Sequence, residues 1–460
     1  MTDRIKDMTA GKPAGLIFTF ALPLMLGNIF QQLYTMVDTA VVGRGIGVDA
    51  LAALGAADWL NWMALGLSVG LAQGFSILVS QRFGAGDLDG MRKAVAMSIL
   101  LSAAIAVGFT VIFEAVAAPA LRLMNTAEHI FDMSLTYLRI SYGGIVIIMG
   151  YNILASVLRA LGDSRTPLYA MVVAAFVNVV LDLLFVMVFH WGVAGAAIAT
   201  VTAQLFSCVF CIRAICRVRI LKLTGEDWRP DKSVMRRLLG LGAPVSFQNG
   251  IIAVGGMVVQ SVVNRFGVVF VAGFTATNKL YGLLEIAATS FGYSVTTYMG
   301  QNLGAGRYKR IRQGMRSAVV MAIATSLVVS AVVILWGRNI LSLFVSAGEA
   351  NAPQVLSVAY NYLFVMGSML FILYLLHIYR SALQGLGDTV TPMISGIVEL
   401  VMRVGAALLL PALLNEWGIY LAEIWAWTGA AILLIAVYYV RVRKFRGYED
   451  GERIQSESIQ

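Results

Sequence analysis

Two aspartates and an asparagine within long apolar runs are the residues of this chain best suited to ion chemistry. Asp38 lies in the run GNIFQQLYTMVDTAVVGR, and Asn178 precedes Asp182 by four residues in VNVVLDLLFV. On insertion scales a charged side chain at the centre of a membrane helix costs roughly 2.5–3.5 kcal/mol, so each acid is a functional candidate. Because four residues span about one helical turn, Asn178 and Asp182 share one helix face.

Further polar side chains accompany these acids. The spacing 27, 31, 34 and 38 predicts one polar face on the first apolar run, formed by Gly27, Gln31, Tyr34 and Asp38. Other runs supply hydroxyls and an amide, from Tyr137, Asn152, Thr200 and Thr202. A polar stripe on a membrane helix must face other protein or water, which predicts a polar interior for this half of the chain.

This set of carboxylate, amide and hydroxyl oxygens permits two kinds of chemistry and one structural interpretation. Oxygen ligands of these types bind hard cations, Na⁺ among them. The same carboxylates can instead carry protons, since desolvation and a neighbouring like charge both favour the neutral acid. Alternatively, Asp38 and Asp182 are structural and accept hydrogen bonds from neighbouring helices.

The elements that position these residues follow from composition. The chain has 460 residues, of which 59% are hydrophobic and 13% are charged, with a mean hydropathy of +0.80. A soluble chain is about 45–50% apolar and about 25% charged, so this composition cannot cover a water-facing surface. The chain is therefore predicted to be a membrane protein built from helices of about 20 or more apolar residues.

Twelve apolar runs are predicted to be membrane helices. Six lie at about 15–43, 51–80, 94–119, 132–158, 167–189 and 192–213. Six more lie at about 236–264, 268–300, 315–337, 354–380, 390–414 and 417–440.

Lysine and arginine are concentrated on one side of this topology. Of 34 basic residues, 27 fall in the termini and in alternate loops, and three fall inside spans. Arg380, at the end of the tenth run, is counted with the loop between spans ten and eleven. The opposite loops contain only Arg44, Arg122, Arg265 and Arg338. Because basic loops resist translocation, both termini are predicted to be cytoplasmic, in a multi-pass protein of the cell membrane. The formal charge of +9 then reflects topology and contact with anionic lipid, and a nucleic-acid partner is unnecessary.

The chain also contains an internal duplication. QRFGAG at 81–86 returns as QNLGAG at 301–306, LGDSRTP at 161–167 returns as LGDTVTP at 386–392, and the prolines and asparagines at 23 and 28 return at 244 and 249. Three matches in one order, at offsets between 220 and 225, indicate a repeat. Each repeat has an even number of spans, so the two are parallel and related by an axis along the membrane normal.

The predicted fold is therefore an all-α polytopic membrane protein with two parallel six-helix repeats. Its parts are a cytoplasmic N-terminus (1–14), an N-terminal lobe (15–213), a cytoplasmic linker (214–235), a C-terminal lobe (236–440) and a cytoplasmic tail (441–460). Two such lobes suit alternating access.

The second repeat lacks counterparts of the first repeat's acids. At the repeat offsets Asp38 corresponds to Val259, and Asp182 to Ala407. This lobe has its own charges, at Lys279, Glu285, Glu399 and Arg403. Glu399 and Arg403 are four apart, which favours a structural ion pair over substrate contact. Lys279 and Glu285 point to different faces, and the sequence identifies no partner for either.

The duplicated loops and one proline have a local structural interpretation. Asp163 and Asp388, with Ser164 and Thr389, can cap the helices that begin near the following prolines. Pro23 stands inside the first span, where it frees a backbone carbonyl and permits bending when Asp38 changes its charge.

The remaining residue types argue against an enzyme. Cys208, Cys211 and Cys216 lie close together near the end of one apolar run and are expected to be packing residues. The three histidines are scattered. No nucleophile arrangement or metal set is recognisable. We expect no enzymatic activity and no bound cofactor.

The twelve spans, the paired QxxGAG and LGDxxTP loops, and the first-span proline followed by an aspartate together resemble the multidrug and toxic compound extrusion (MATE) family. The resemblance covers residues 10–445. It implies a V-shaped antiporter that exports amphipathic, often cationic compounds in exchange for H⁺ or Na⁺, and we expect it to be a monomer.

The resemblance also implies roles for individual residues. In the branch with its cation site in the N-terminal lobe, the matching positions are Asp38, Asn178, Asp182 and Thr200, and the adjoining cavity is lined by Gln31, Tyr34, Tyr137 and Asn152. The branch with acids in spans seven and ten matches less well, because span seven offers only Gln248 and Gln260, and span ten offers His377. This counts against a second-lobe cation site.

Two other functions remain compatible with the sequence. A lipid-linked sugar flippase of the wider superfamily would be expected to have extra spans or a strongly cationic cavity, and Arg139 and Arg403 keep that alternative open. A receptor or scaffold without transport is less favoured, because the duplicated halves and buried acids are typical of transport.

Overall fold

The computed structural model describes residues 5–342 and 351–457, and the regular elements there are helical. The first repeat contains α1 (Pro13–Gly45), α2 (Val48–Gly84), α3 (Leu88–Leu123), α4 (Glu128–Gly143), α5 (Ile145–Ala160), α6 (Arg165–Asp182) and α7 (Gly192–Cys216). The second contains α8 (Lys232–Val263), α9 (Val268–Gly304), α10 (Tyr308–Leu341), α11 (Ala352–Ser368), α12 (Leu370–Gly385), α13 (Val390–Leu409), α14 (Pro411–Leu414) and α15 (Glu416–Glu457). The extreme ends of the predicted N-terminus (1–4) and tail (458–460) lie outside the described residues.

Within the described residues, nine helices are long and apolar enough to cross a membrane, and two bent pairs raise the number to eleven. The bent pairs are α4 with α5, at 48°, and α11 with α12, at 52°, so each repeat has a broken fourth span. The remaining predicted span, 268–300, lies in the continuous 37-residue helix α9. This helix is long enough to cross a membrane, but it is less apolar than the nine helices counted above. The predicted all-α membrane fold with two six-helix repeats is confirmed.

The chain forms two compact units. Unit 1 comprises the described residues up to Asp7 together with Leu22–Gly250, and unit 2 comprises Met8–Ala21 and the described residues from Ile251 onward. The predicted lobe boundaries followed loops, whereas these units divide inside α1, beside Pro23, and inside α8.

Hydrogen bonds explain why each of these helices is divided. Within unit 1, the Ser246 hydroxyl of α8 donates to the Leu67 carbonyl of α2 at 2.8 Å. Within unit 2, the Ser294 hydroxyl of α9 donates to the Ile17 carbonyl of α1 at 2.8 Å. Gly70 of α2 allows α8 to approach closely, because a Cβ at this position would lie only 2.6 Å from the Ser246 Cα. The N-terminal part of α1 is therefore held by α9 in unit 2, and the N-terminal part of α8 by α2 in unit 1.

The LGD loops are structural, as predicted. Gly162 ends α5 with a φ of +86°, a conformation that glycine adopts without strain. The Asp163 carboxylate then accepts the Thr166 backbone N–H at 2.9 Å, and Asp388 accepts that of Thr391 at 3.0 Å. The aspartate side chains therefore cap these helices. The adjacent side chains of Ser164 and Thr389 provide no cap.

The second QxxGAG motif has a role that the sequence did not reveal. Gln301 accepts the Met8 backbone N–H at 2.8 Å, and the Asn302 amide donates to the Met8 carbonyl at 3.1 Å. Arg307, which follows the motif, donates to the Thr9 carbonyl at 2.7 Å. These side chains therefore satisfy backbone groups of a buried segment that has no helical partners of its own.

Candidate functional site

Two glycines of α1 set its approach to the helix that bears Asp182. A Cβ on Gly27 would lie 3.1 Å from the Met171 sulfur of α6, and one on Gly45 would lie 2.7 Å from the Met187 sulfur. Asp38 lies between these two contacts along α1. The sequence stripe that included Gly27 is thus partly a packing surface, and it brings the acid of the first span against the fifth.

Asp182 ends α6, and the next residues, Leu183–Val188, form a π-helical turn. Such turns are rare and occur frequently at functional sites. The predicted fifth span is therefore α6 followed by this turn, and Asp182 lies where the helical repeat changes. Its side chain is fully buried, and that of Asn178, one turn earlier, is 1% exposed.

Asp38 and Asp182 meet in the interior of unit 1. Asp38 is 9% exposed, and its carboxyl group interacts directly with that of Asp182. Two ionised carboxylates that interact in a buried site repel each other, and protonation or a bound cation lowers that repulsion. The sequence placed these residues in one bundle, and the structure brings their side chains into contact.

Several oxygens at this site have no hydrogen-bond donor among the described residues. The buried acceptors without a partner are Asp38 Oδ1, Asn178 Oδ1, Asp182 Oδ1 and Oδ2, and Gln204 Oε1. An unsatisfied buried polar atom is costly, commonly by about 1–3 kcal/mol, so a group of five acceptors requires an explanation. A bound cation, or protons on the carboxylates, would satisfy them. This observation disfavours the interpretation in which the acids are satisfied by neighbouring helices.

The predicted hydroxyl and amide partners are arranged around the acids. The Asn178 amide donates to the Thr200 hydroxyl at 3.4 Å, and the Asn178 Oδ1 atom has no donor among the described residues. Tyr34 and Tyr137 both interact electrostatically with Asp38 and Asp182. The structure thus places Tyr34 and Tyr137 beside the two acids, and Thr200 beside Asn178.

Gln31, Gln204 and Asn152 differ in how they relate to this group. Gln31 is exposed, and its side chain interacts with the Tyr34 hydroxyl. Gln204 interacts with the same hydroxyl, and the sequence did not single it out. Its position four residues after Thr200, on the same helix face, was the available signal. The Asn152 amide instead donates to the Ile148 carbonyl of its own helix at 2.9 Å.

Unit 2 holds a buried charge network in place of an acceptor cluster. Glu399 accepts from Arg403 at 2.7 Å, which confirms the predicted ion pair. Glu399 also binds Arg380 at 2.8 Å, and Arg403 binds Glu423 at 3.0 Å. Arg380 was counted with a cytoplasmic loop, and that assignment is wrong, because its side chain is buried against Glu399.

The repeat makes the contrast between the units specific. At the offset of 225 residues Arg403 corresponds to Asn178. In unit 2 this position carries the guanidinium of Arg403, which two glutamates hold in place. In unit 1 it carries the Asn178 amide, whose oxygen has no donor among the described residues. Unit 1 has a neutral amide at this repeat position, whereas unit 2 has a positive charge held by two carboxylates.

Comparisons with known proteins agree with this architecture. A family model described as MatE matches residues 23–184 and 244–409. The chain is similar to the "Probable multidrug resistance protein YpnP" of Bacillus subtilis (strain 168), at 30% identity over 75% of this chain and 78% of the relative.

Solved structures show the same fold. "Crystal structure of MATE in complex with MaL6" superposes with a TM-score of 0.91 at 24% identity, over 97% of this chain and 100% of the other. An outward-facing multidrug resistance MATE family transporter gives a TM-score of 0.90 at 24% identity, over 97% of this chain and 99% of the other.

Proposed function

This chain belongs to the MatE family, whose matched relatives are transporters, and from that premise we propose that it exports organic compounds in exchange for H⁺ or Na⁺. The exported compounds are small and amphipathic, and many are cationic. The main support for this proposal is the set of buried oxygen atoms around Asp38 and Asp182 that have no hydrogen-bond donor among the described residues. Such a set binds an exchangeable positive charge.

In this proposal Asp38, Asn178, Asp182 and Thr200 form the coupling site. The two carboxylates supply the charge, and the Asn178 and Thr200 oxygens complete the coordination that Na⁺ prefers. When H⁺ is the coupling ion, it binds between the carboxylates and removes their repulsion. Gln31, Tyr34, Tyr137 and Asn152 line the adjoining substrate cavity.

The cycle couples charge at this site to the shape of α1. Ion or proton binding lowers the negative charge of the pair. α1 then bends or repacks at Pro23, and the substrate loses its contact with the acids and leaves outward. The ion is then released inward. One elementary charge crossing 100 mV supplies about 2.3 kcal/mol, which supports roughly a 50-fold substrate ratio.

The same proposal includes the cellular location, the orientation and the oligomeric state of the protein. The protein works in the cell membrane with both termini cytoplasmic, because the basic residues are concentrated in the termini and alternate loops. It acts as a monomer, surrounded by lipid, without an enzymatic step, a resident cofactor or a nucleic-acid partner.

The test is substrate efflux from proteoliposomes with imposed pH or Na⁺ gradients. The parent chain is compared with Asp38→Asn, Asp182→Asn and Asp132→Asn, the last being an exposed aspartate of unit 1 that serves as the matched control. We expect gradient-driven efflux to be lost in the first two variants and retained in the third. The two gradients, imposed separately, identify the ion.

Three results would overturn the proposal. Parental efflux by Asp38→Asn, with that variant correctly folded in the membrane, would remove the acid from the coupling step. Failure of the parent to move any of a panel of organic cations, together with movement of a lipid-linked sugar, would indicate a flippase. A parent that moves neither would be a receptor or scaffold.

A further inference from the structure

We propose that the C-terminal end of α7, in unit 1, is a binding site for an anionic phospholipid. Arg213 and Arg217 bind the headgroup phosphate, and an exposed apolar stripe on the same helix contacts the acyl chains. Arg213 lies in the last turn of α7, and Arg217 follows its end with φ −88° and ψ −10°, still close to helical. Both side chains are exposed, and positions four apart share one helix face.

The apolar stripe continues along α7 from the two arginines. Phe206 and Val209 precede Arg213 by seven and four residues, so they lie on its face of the helix. Their side chains are 51% and 40% exposed. Gln204, whose buried oxygen belongs to the acceptor group of unit 1, precedes Arg213 by nine residues, a rotation of about 180°. The stripe therefore lies on the face of α7 opposite the candidate coupling site.

The other face of α7 is packed inside unit 1. Its buried residues recur at intervals of four, at Ala203, Ser207, Cys211 and Ile215. The Ser207 hydroxyl donates to the Ala170 carbonyl of α6 at 2.9 Å. α7 also packs against α4 and α5, so three helices cover this inner face. In a bilayer the exposed apolar face of such a helix is covered by lipid acyl chains.

The segment that follows α7 adds positive charge and is folded against unit 1. Residues 213–237 contain eight bases and three acids, a net charge of +5. Leu221 is buried, at 3% exposure. The Lys93 ammonium group of α3 donates to the Glu226 and Arg229 carbonyls at 3.0 and 2.7 Å. The charges are therefore held at one place on unit 1, where they raise the positive potential around the two arginines.

The carboxylates of unit 1 do not neutralise the two arginines. Asp227 and Asp231, in the same segment, each accept a backbone N–H from a residue within three positions, at 2.7 and 2.9 Å. The ion pairs described in unit 1 use other bases, namely Arg82, Arg92, His129 and Arg139. Arg213 and Arg217 form none among the described residues, so their charge is available to an external anion.

The arginines and the stripe together fit one kind of anion. A guanidinium group binds phosphate oxygens through paired N–H donors. The concentration of bases predicts that this end of α7 lies on the cytoplasmic side, where the leaflet carries anionic lipid. A phospholipid places its phosphate at the end of a membrane helix and its acyl chains along the helix. A soluble phosphate would use the arginines and leave the stripe uncovered, so the lipid accounts for both features.

The repeat gives independent support, because the corresponding positions of unit 2 are built differently. At the offset of 225 residues Arg213 corresponds to Tyr438, and Arg217 to Val442. Those two side chains are 2% and 6% exposed, within a helix that continues to Glu457. The duplicated architecture therefore does not require exposed arginines at this place. Their presence is specific to unit 1.

Lipid titration followed by native mass spectrometry tests the proposal on the full chain in detergent micelles. The measured quantity is the Kd of the first bound phosphatidylglycerol, for the parent and for Arg213→Gln/Arg217→Gln. Removing both charges should raise this Kd roughly 30-fold, and added salt should narrow the difference. Phosphatidylcholine has no net charge, so it should bind the parent more weakly and the two proteins equally. Equal binding of both lipids to the parent would overturn the proposal.

The chain supplies a matched control on α15. Arg443 and Lys444 are exposed, and Arg443→Gln/Lys444→Gln removes the same charge. Adjacent helix positions point in different directions, so these two bases do not share a face. The control should change the Kd by less than about 2-fold. An equal effect of the two double variants would show that net charge alone attracts the lipid, and that result would refute the site.

Two further measurements separate lipid from free phosphate, and binding from folding. Glycerophosphoglycerol, the soluble headgroup, should not displace the lipid, and displacement would assign the arginines to a free phosphate. Arg213→Lys/Arg217→Lys keeps both charges but loses the paired donors, so its Kd should lie between those of the parent and the glutamine variant. A lysine variant that binds like the parent contradicts recognition by guanidinium, even if the glutamine variant does not fold. The titration needs no transport, so failure of the Asp38 test leaves it intact.

Discussion

The charge network of unit 2 yields a quantitative prediction for Glu399→Gln. The carboxylate of Glu399 is bonded to Arg380 at 2.8 Å and to Arg403 at 2.7 Å, and its side chain is 6% exposed. Glutamine keeps the shape but removes the charge. The network then has two buried guanidinium groups and one carboxylate, so it carries a net charge of +1.

The expected loss of stability follows from this imbalance. Breaking a buried ion pair by removing one partner costs about 3–5 kcal/mol, because a charge is left buried without compensation. Arg403 retains Glu423 at 3.0 Å, so the uncompensated group is Arg380. At about 2–4 °C per kcal/mol for a unit of 150–250 residues, the loss corresponds to a fall in Tm of about 6–20 °C.

The assay is thermal unfolding of purified protein in detergent, followed by near-ultraviolet circular dichroism. The decisive comparison is with the double variant Glu399→Gln/Arg380→Gln, which restores neutrality and should recover more than half of the loss. Glu226→Gln, at an exposed position of the linker, is the control and should stay within about 0.5 kcal/mol of the parent. A double variant less stable than Glu399→Gln would refute the reasoning, because charge balance would then not control stability.

Three further predictions concern the loops. Gly162→Ala should lower Tm by several degrees, because φ is +86° and a Cβ would overlap the Lys6 carbonyl. Gly15 has open space around it, so Gly15→Ala should not lower Tm. Thermal unfolding of the two variants checks this prediction. Asp87→Ala should cost about 1 kcal/mol at neutral pH by removing the cap of α3. The Gly90 backbone N–H holds the pKa of Asp87 below its ordinary value, so this stabilisation is present at neutral pH and is lost as pH falls through the lowered pKa; parent and variant should converge in acid. Asn302→Leu should speed amide hydrogen exchange in residues 5–12, and an unchanged exchange pattern would contradict the role assigned to the second QxxGAG motif.

The two LGD loops show how far a local motif can be interpreted from sequence. An aspartate followed by Thr and Pro predicts a capped helix start, and Asp163 and Asp388 both provide that cap. The motif did not reveal that Arg441 also binds Asp388, at 2.9 Å, because those residues are 53 positions apart. Local hydrogen bonds are encoded within a few residues, whereas a distant partner depends on how helices pack.

The candidate site divides in the same way. Asp38, Asn178 and Asp182 were found from the sequence because a polar group in an apolar run is conspicuous. Gln204 was missed, since a glutamine in a membrane helix gains meaning only once its oxygen is seen to be buried without a donor. Arg380 was placed in a loop because the end of an apolar run does not fix where a helix ends.

The sequence by itself determined that this is a helical membrane protein with a duplicated architecture, and that one repeat contains the unusual acids. Those properties depend on the length of apolar runs, on spacing along a helix and on repeated motifs, all of which are local. Only the tertiary structure decided that Asp38 faces Asp182, that Glu285 faces His377, and that Glu399 lies between two arginines. Each of these depends on which faces of distant helices meet, and that depends on how the whole chain packs.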